Sequence, residues 1–178
     1  FFLWGEIFLL LLDSATRYKI VELLRNKEPA TIMKAILKSW MRYFGPMRVL
    51  VSDQEGGIVA DLTGKELERF SVVRRLKGSD KAGRHTGTAT VERHISLTKL
   101  TMQKIKAELS RLGLIVSNDE IGYEAGMAQN LTLEYSGYTP CMAVLGSHPR
   151  GFYELEDHSI TSVMGAAETS LDVFEQAL

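Results

Sequence analysis

Cysteine is nearly absent from this sequence, and no cysteine or histidine cluster has the spacing of a zinc site. Cys141 is the single cysteine among 178 residues, so no internal disulfide can form. Nothing therefore indicates a disulfide-stabilised secreted scaffold or a zinc-built domain, and we expect an intracellular, reducing environment.

Long hydrophobic runs are also lacking. The apolar run from Ile7 to Leu12 has six residues, whereas a membrane-spanning helix needs about 20. No basic segment precedes this run, as one would in a signal peptide. We interpret it as a buried strand and expect no membrane partner. With 45% hydrophobic residues and only 4 prolines, the chain can bury one sizeable core.

The charge is divided unevenly along the chain, although the net charge is only −1. Residues 74–111 contain ten basic and three acidic residues, a net charge of +7, and residues 112–178 carry −9. A basic segment inside a nearly neutral protein favours a localised polyanion-binding surface. An ordinary solvated helix face is the alternative that charge alone leaves open.

Hydrophobic periodicity predicts an alternation of strands and helices. The predicted elements are strands at 7–12 and 17–23, a helix at 30–44, a strand at 47–52, a helix at 61–70 and a strand at 71–74. The strand, helix, strand order implies a parallel pair, and ligands of such sheets gather at the carboxyl ends of the strands. Asp53, which follows the strand at 47–52, is therefore well placed for chemistry.

The clearest predicted helix follows a basic, glycine-containing loop at 77–90. One stripe of this helix faces a core: Val91, Ile95, Thr98, Met102, Ile105, Leu109 and Leu112. A different stripe contains Glu92, Ser96, Lys99, Gln103 and Lys106. A carboxylate followed by cations on one helix face suits a metal site beside a bound nucleic-acid strand. A further helix is predicted at 118–135, and a short turn begins at 142.

Four segments resemble the catalytic core of retroviral and long-terminal-repeat retrotransposon integrases, in the family's order. They are LLLLDSATRYK at 9–19, WMRYFGPMRVLVSDQEG at 40–56, GRHTGTATVERHISLTK at 83–99 and AQNLTLEYSGYTPCMAVLGSHPRG at 128–151. The resemblance implies a ribonuclease-H-like α/β fold, in which helices flank a five-stranded mixed sheet whose first strand is truncated here. It also implies an Asp, Asp, Glu triad that binds two Mg²⁺ or Mn²⁺ ions.

The resemblance assigns site residues one by one. Asp53 matches the second aspartate of the triad, Glu92 matches its glutamate, and Lys99 coincides with a lysine that contacts DNA in the family. Together with the basic charge of the region, this gives five predicted nucleic-acid-binding residues: Arg84, Arg93, Lys99, Lys104 and Lys106. The implied activity is metal-dependent processing of retroelement DNA ends and their transfer into target DNA. A homo-oligomer acting in the nucleus is expected.

Several positions depart from the family pattern. Glu55 stands where a glycine is usual, Ala89 stands where a glycine often precedes the glutamate, and 38 residues rather than 35 separate Asp53 from Glu92. Asp13 could complete an apparent triad, but the residue at this position in the family is not a metal ligand, and we interpret Asp13 as a turn-capping residue. The family's first aspartate then falls two residues upstream of Phe1, so the chain as given is expected to be inactive.

The remaining expectations concern histidines, domains and alternatives. His85 and His94 are interpreted as structural residues rather than phosphate ligands. The catalytic core is expected at 1–150, followed by an acidic linker and the start of a helix at 151–178. The alternative function is a decayed or co-opted integrase-derived domain that binds nucleic acid without turnover. A ribonuclease-H-like nuclease of another lineage is a more distant possibility.

Overall fold

The first sheet consists of three antiparallel strands. A computed structural model describes residues 1–52, 61–76 and 86–147 of the chain. The strands β1 (Phe2–Leu3), β2 (Glu6–Leu12) and β3 (Lys19–Leu24) pair in that order. This confirms the two strands predicted at 7–12 and 17–23, although the second begins two residues later than expected.

A capped turn joins β2 to β3. Asp13 Oδ2 accepts hydrogen bonds of 2.7 Å from both the backbone N–H and the hydroxyl of Thr16. The N–H of Arg17 then donates to the carbonyl of Asp13 at 3.0 Å. A carboxylate that satisfies backbone and side-chain donors within its own turn is a local cap. The turn-capping interpretation of Asp13 is therefore confirmed.

The helix predicted at 30–44 is present but irregular. It comprises α1 (Pro29–Ile36), a π-helical turn (Leu37–Met41) and α2 (Arg42–Phe44). The hydroxyl of Ser39 donates to the carbonyl of Ala35 at 2.6 Å within this segment. Residue Gly45 ends the helix with a φ of 74°, a conformation that glycine adopts without strain.

The second sheet has the strand, helix, strand order that the sequence predicts. Its strands β4 (Val49–Ser52) and β5 (Val73–Leu76) are parallel, and the helix α3 (Asp61–Arg69) lies between them in the sequence. The final strand lies two residues later than its predicted range of 71–74.

The described strands do not form the single five-stranded mixed sheet that was expected. The five described strands form a three-stranded antiparallel sheet and a separate two-stranded parallel sheet. With only two residues, β1 pairs with β2 and offers almost no second edge on which β4 could form a ladder.

Three helices complete the described fold. The long helix α4 (Thr86–Arg111) begins five residues before its predicted start at 91, so residues 86–90 are helical rather than part of a loop. The helix α5 (Asn118–Thr132) ends three residues before its predicted end at 135, and α6 (Pro140–Leu145) follows. The division between 1–150 and 151–178 stays a prediction, because residues 148–178 lie outside the described residues.

Both faces of the β2–β3 pair are covered, which explains the unbroken apolar run of β2. Leu11 and Leu24 belong to a core with the α1 residues Ile32 and Ile36, whereas Phe8 packs in a second core with residues of α4 and α5. Successive strand residues point to opposite faces, so a strand buried on both sides is apolar throughout. Within the described residues, no helix is long and apolar enough to cross a membrane.

Candidate metal and nucleic-acid site

Glu92 is exposed to solvent on α4, six residues after the first residue of that helix. Its candidate partner Asp53 directly follows β4, which ends at Ser52. Asp53 and Arg84 lie outside the described residues, so the predicted convergence of Asp53 with Glu92 stays a prediction. The hydroxyl oxygen of Ser52 is buried and has no hydrogen-bond partner within the described part of the chain.

The predicted nucleic-acid-binding cations of α4 occupy two faces of the helix. Each helical residue turns the direction of its side chain by about 100°, so Glu92, Lys99 and Lys106 share a face. Lys104 points about 140° away from Lys99 and is close in direction to Arg93. The predicted DNA-binding lysines Lys99, Lys104 and Lys106 therefore do not share one face: Lys99 and Lys106 lie on the face of Glu92, and Lys104 lies on the face of Arg93.

The two lysines that share the face of Glu92 both contact aromatic rings near the start of the chain. Lys99 Nζ lies 5.5 Å from the ring centre of Phe1. Lys106 Nζ lies 3.9 Å from the ring centre of Trp4 and donates a 2.8 Å hydrogen bond to Asn118 Oδ1. A phosphate would have to compete with these contacts for Lys106, because they already satisfy part of its hydrogen-bonding capacity.

A buried polar network lies behind this part of α4. Lys19 is 1% exposed, and its ammonium lies 3.0 Å from His94 Nδ1 and donates to Gln129 Oε1 at 2.7 Å. The Gln129 amide nitrogen donates to Thr101 Oγ1 at 2.8 Å. The Asn130 side chain exchanges hydrogen bonds of 3.0 and 2.7 Å with the backbone N–H and carbonyl of Lys19. These contacts connect β3, α4 and α5.

Burial determines the charge states inside the network. Desolvation lowers the pKa of Lys19 to about 8, so it remains charged at neutral pH. The pKa of His94 falls to about 4, because burial and the positive charges of Lys19, Arg17 and Arg93 all disfavour its protonation. A neutral His94 whose Nδ1 accepts from Lys19 carries its proton on Nε2. This supports the structural interpretation of His94, whereas His85 lies outside the described residues.

Sequence reasoning missed Lys19, Gln129 and Asn130. In the sequence, Lys19 begins a strand in the way that an exposed lysine would, and the two amides close an ordinary amphipathic helix. The network depends on hydrogen-bond donors and acceptors that meet from separate elements in the fold. No local sequence pattern encodes that arrangement.

The described residues include no cluster of three His, Cys, Asp or Glu that could hold a metal ion. Glu92 is the one proposed metal ligand among them. Carboxylate oxygens are the ligands that Mg²⁺ and Mn²⁺ prefer, so the chemistry of Glu92 fits the group that the resemblance implies.

Comparison with solved structures identifies a similar fold. The chain is similar to the catalytic core domain of BIV integrase, with a TM-score of 0.66 and 13% sequence identity. The similarity covers 80% of this chain and 88% of that one. No protein-family model matches the sequence. No curated protein matches it either. The chain thus has an integrase-core-like fold, and at this identity the likeness concerns the fold alone.

Proposed function

We propose that this chain is the catalytic core of an integrase that processes retroelement DNA ends and transfers them into target DNA. The observation that carries the proposal is the integrase-core-like fold over 80% of the chain. It is supported by an exposed Glu92 on α4 and by a parallel strand that ends immediately before Asp53. DNA is the proposed partner, and further copies of the chain are proposed to assemble around it.

The proposed roles of the residues follow from their chemistry. Asp53 and Glu92 would contribute carboxylate ligands to two divalent ions, which would stabilise the attacking and leaving oxygens when phosphodiester bonds are exchanged. Lys99 lies on the face of Glu92 and binds the phosphate backbone of a DNA strand beside the metal site. Burial of His94 and Lys19 against Gln129 fixes the position of α4, so Glu92 is presented from a rigid element.

Substitution of Glu92 by Gln tests the metal site. The amide keeps the size of the side chain but removes the negative charge, so we expect Mn²⁺ binding to weaken at least tenfold in calorimetry. Metal-dependent DNA joining, measured in a version extended upstream of Phe1, should be lost. Because Glu92 is exposed, the thermal unfolding midpoint should not change by more than about 1 °C, which is equivalent to a few tenths of a kcal/mol.

Glu108→Gln is the matched control. Glu108 is also an exposed α4 carboxylate, and its ion pair with Arg111 lies at the surface, where such pairs contribute little. This variant should bind Mn²⁺ and join DNA as the wild type does. If the wild-type version extended upstream of Phe1 binds DNA but neither binds Mn²⁺ nor joins DNA, the co-opted, non-catalytic alternative is favoured instead.

A further inference from the structure

The turn between β1 and β2 holds a tryptophan in a backbone conformation that bulky side chains avoid. Trp4 and Gly5 form this two-residue turn, with φ angles of 53° and 80°. Positive φ at both positions is the geometry of a type I′ turn, whose first position favours asparagine, aspartate or glycine. A tryptophan there costs on the order of 1 kcal/mol, and residues strained in this way concentrate at functional positions.

The indole ring of Trp4 is held against α4. Lys106 Nζ lies 3.9 Å from the ring centre, and the same ammonium donates to Asn118 Oδ1 at 2.8 Å. The side-chain nitrogen of Asn118 donates in turn to Glu6 Oε2 at 2.7 Å, two residues after Trp4. These contacts connect the turn to α4 and to the start of α5, so the position of the ring is fixed without a ligand.

Trp4 nevertheless remains 36% exposed, although Lys106 covers part of its ring. A turn that only had to reverse the chain would be more stable with asparagine at this position. Trp4 instead presents aromatic surface at the cost of backbone strain. Every nucleobase has a π-face that can stack on such a ring, and cations beside aromatic side chains are typical of surfaces that bind single-stranded nucleic acid.

The ring of Trp4 lies at the far end of the α4 face that carries Glu92 and Lys99. Lys106, which covers the ring, follows Glu92 by 14 residues on the same helix. At a rise of roughly 1.5 Å per residue, this separation is about 21 Å along the helix axis. Six nucleotides of a DNA strand span about 20 Å at roughly 3.4 Å each. A strand bound at Glu92 therefore reaches Trp4 within about six nucleotides.

We propose that Trp4 stacks against an unpaired base of the DNA strand that runs along α4 from the metal site. The inference rests on the proposed function and deepens it, because it adds an aromatic contact to a surface otherwise assigned to cations. Bases inside a duplex are stacked on their neighbours, so only an unpaired base offers a free face to the ring. Lys106 is a positioning residue here, because the ring and Asn118 engage its ammonium.

Tryptophan fluorescence tests the stacking in the intact fold. The chain has two tryptophans, so Trp40→Phe leaves Trp4 as the single reporter. The probe is a forked 20-base-pair duplex in which both strands end in six unpaired thymidines. We expect this DNA to quench the emission of Trp4, whereas a blunt duplex of the same length should leave it unchanged. In the reciprocal Trp4→Phe variant, neither DNA should quench Trp40.

Trp4→Asn measures the contribution of the ring to affinity, because asparagine fits the type I′ turn and removes the aromatic surface. Its affinity for a fluorescently labelled forked duplex, measured by anisotropy, should fall about 5- to 100-fold, the contribution of one stacked base. Its affinity for the blunt duplex should stay at the wild-type value, which separates lost stacking from lost folding.

Phe2→Ala is the matched control. Phe2 is 54% exposed and contacts Lys27 at 4.4 Å. Its strand neighbours Phe1 and Leu3 pack with the core of α4 and α5, so Phe2 points to the opposite face of the sheet. This variant should bind both DNA molecules as the wild type does.

Two results overturn the stacking and leave the proposed function standing: Trp4 emission that the forked duplex does not change, or wild-type affinity of Trp4→Asn for that duplex. Trp4 emission that shifts with protein concentration, and not with DNA, assigns the ring to a contact between copies of the chain and also overturns the stacking. A wild-type chain without affinity for either DNA overturns the stacking and the proposed function together.

Discussion

Lys19 illustrates how a single residue can combine a structural cost with a local benefit. Its ammonium is buried without an acidic partner among the described residues, and it is satisfied by Gln129 and His94 instead. A buried cation without a counter-charge lowers the stability of the folded state. The lowering of its pKa from 10.5 to about 8 corresponds to about 3 kcal/mol.

The pH dependence of stability tests this view of Lys19. Below pH 8 the residue is protonated in both the folded and the unfolded states. Between pH 8 and 10.5 the folded protein has released the proton and the unfolded chain still holds it, so stability increases with pH across this window. We expect the difference in unfolding free energy between the wild type and Lys19→Met to increase by about 3 kcal/mol between pH 7.5 and 10.5.

Urea titrations of both proteins at several pH values measure this difference. Titrations of tyrosine and of the other lysines cancel, because both proteins share them. A difference that stays constant with pH would mean that Lys19 keeps its ordinary pKa in the folded state.

At the scale of elements, α5 is positioned by small residues. A Cβ atom added to Gly122 would lie 3.3 Å from both Phe8 Cε1 and Val21 Cγ1, closer than carbon atoms in a packed core normally approach. Gly126 is less restricted, because its nearest contact would be 3.4 Å, to Val21 Cγ2. The close approach of α5 to the β2–β3 pair therefore requires glycine at position 122, whereas position 126 has room for a Cβ atom.

Substituting these two glycines separates packing from helix propensity. Alanine is favoured over glycine inside a helix by up to about 1 kcal/mol, whereas overpacking a core costs about 1–3 kcal/mol. We expect Gly122→Ala to lower the unfolding free energy by about 1 kcal/mol, since overpacking exceeds the propensity gain. Gly126→Ala should leave it unchanged or raise it by up to about 1 kcal/mol. Urea denaturation measures both, and equal stabilisation by the two substitutions would contradict the close approach.

The start of α5 shows an element that the sequence does encode. Ser117 Oγ accepts from the N–H of Glu120 at 3.2 Å, and Glu120 Oε2 accepts from the N–H of Ser117 at 3.0 Å. This reciprocal capping box requires only residues three positions apart, so the letters S-N-D-E define it locally. The helix begins at Asn118, where it was predicted.

At the scale of the whole molecule, the β2–β3 pair joins two cores, one against α1 and the other against α4 and α5. Both cores contain residues of β2 and β3. Disruption of one core therefore exposes one face of the strands on which the other core depends. We therefore expect the described fold to unfold in one cooperative transition.

The two tryptophans of the chain report on the two layers separately. Trp40 packs against the first core, whereas Trp4 is 36% exposed and contacts Lys106 of α4. Trp4→Phe and Trp40→Phe each leave one fluorophore. Within each variant, the urea midpoint from fluorescence should equal the midpoint from far-UV circular dichroism. Midpoints that differ in either variant would show that the layers unfold independently.

The sequence by itself determined the order and type of the main elements from β2 to α5 and the turn cap at Asp13. Hydrophobic period, helix caps and turn residues act over a few positions, so the chain encodes them locally. The sequence also predicts the burial of β2 on both faces, because its apolar run lacks the alternation of a half-exposed strand.

Tertiary structure alone decided the pairing of strands and the contacts of individual polar residues. The expected five-stranded sheet became two sheets because strand pairing depends on the edges available in space, and β1 is too short to offer a second one. Lys19 contacts Gln129, which is 110 positions away in the sequence. Lys19 is buried by residues distant in sequence, so the sequence around it does not indicate its burial. The sequence thus specified the local elements and indicated Glu92, whereas the buried contact between Lys19 and His94 exists only because the fold brings β3 and α4 together.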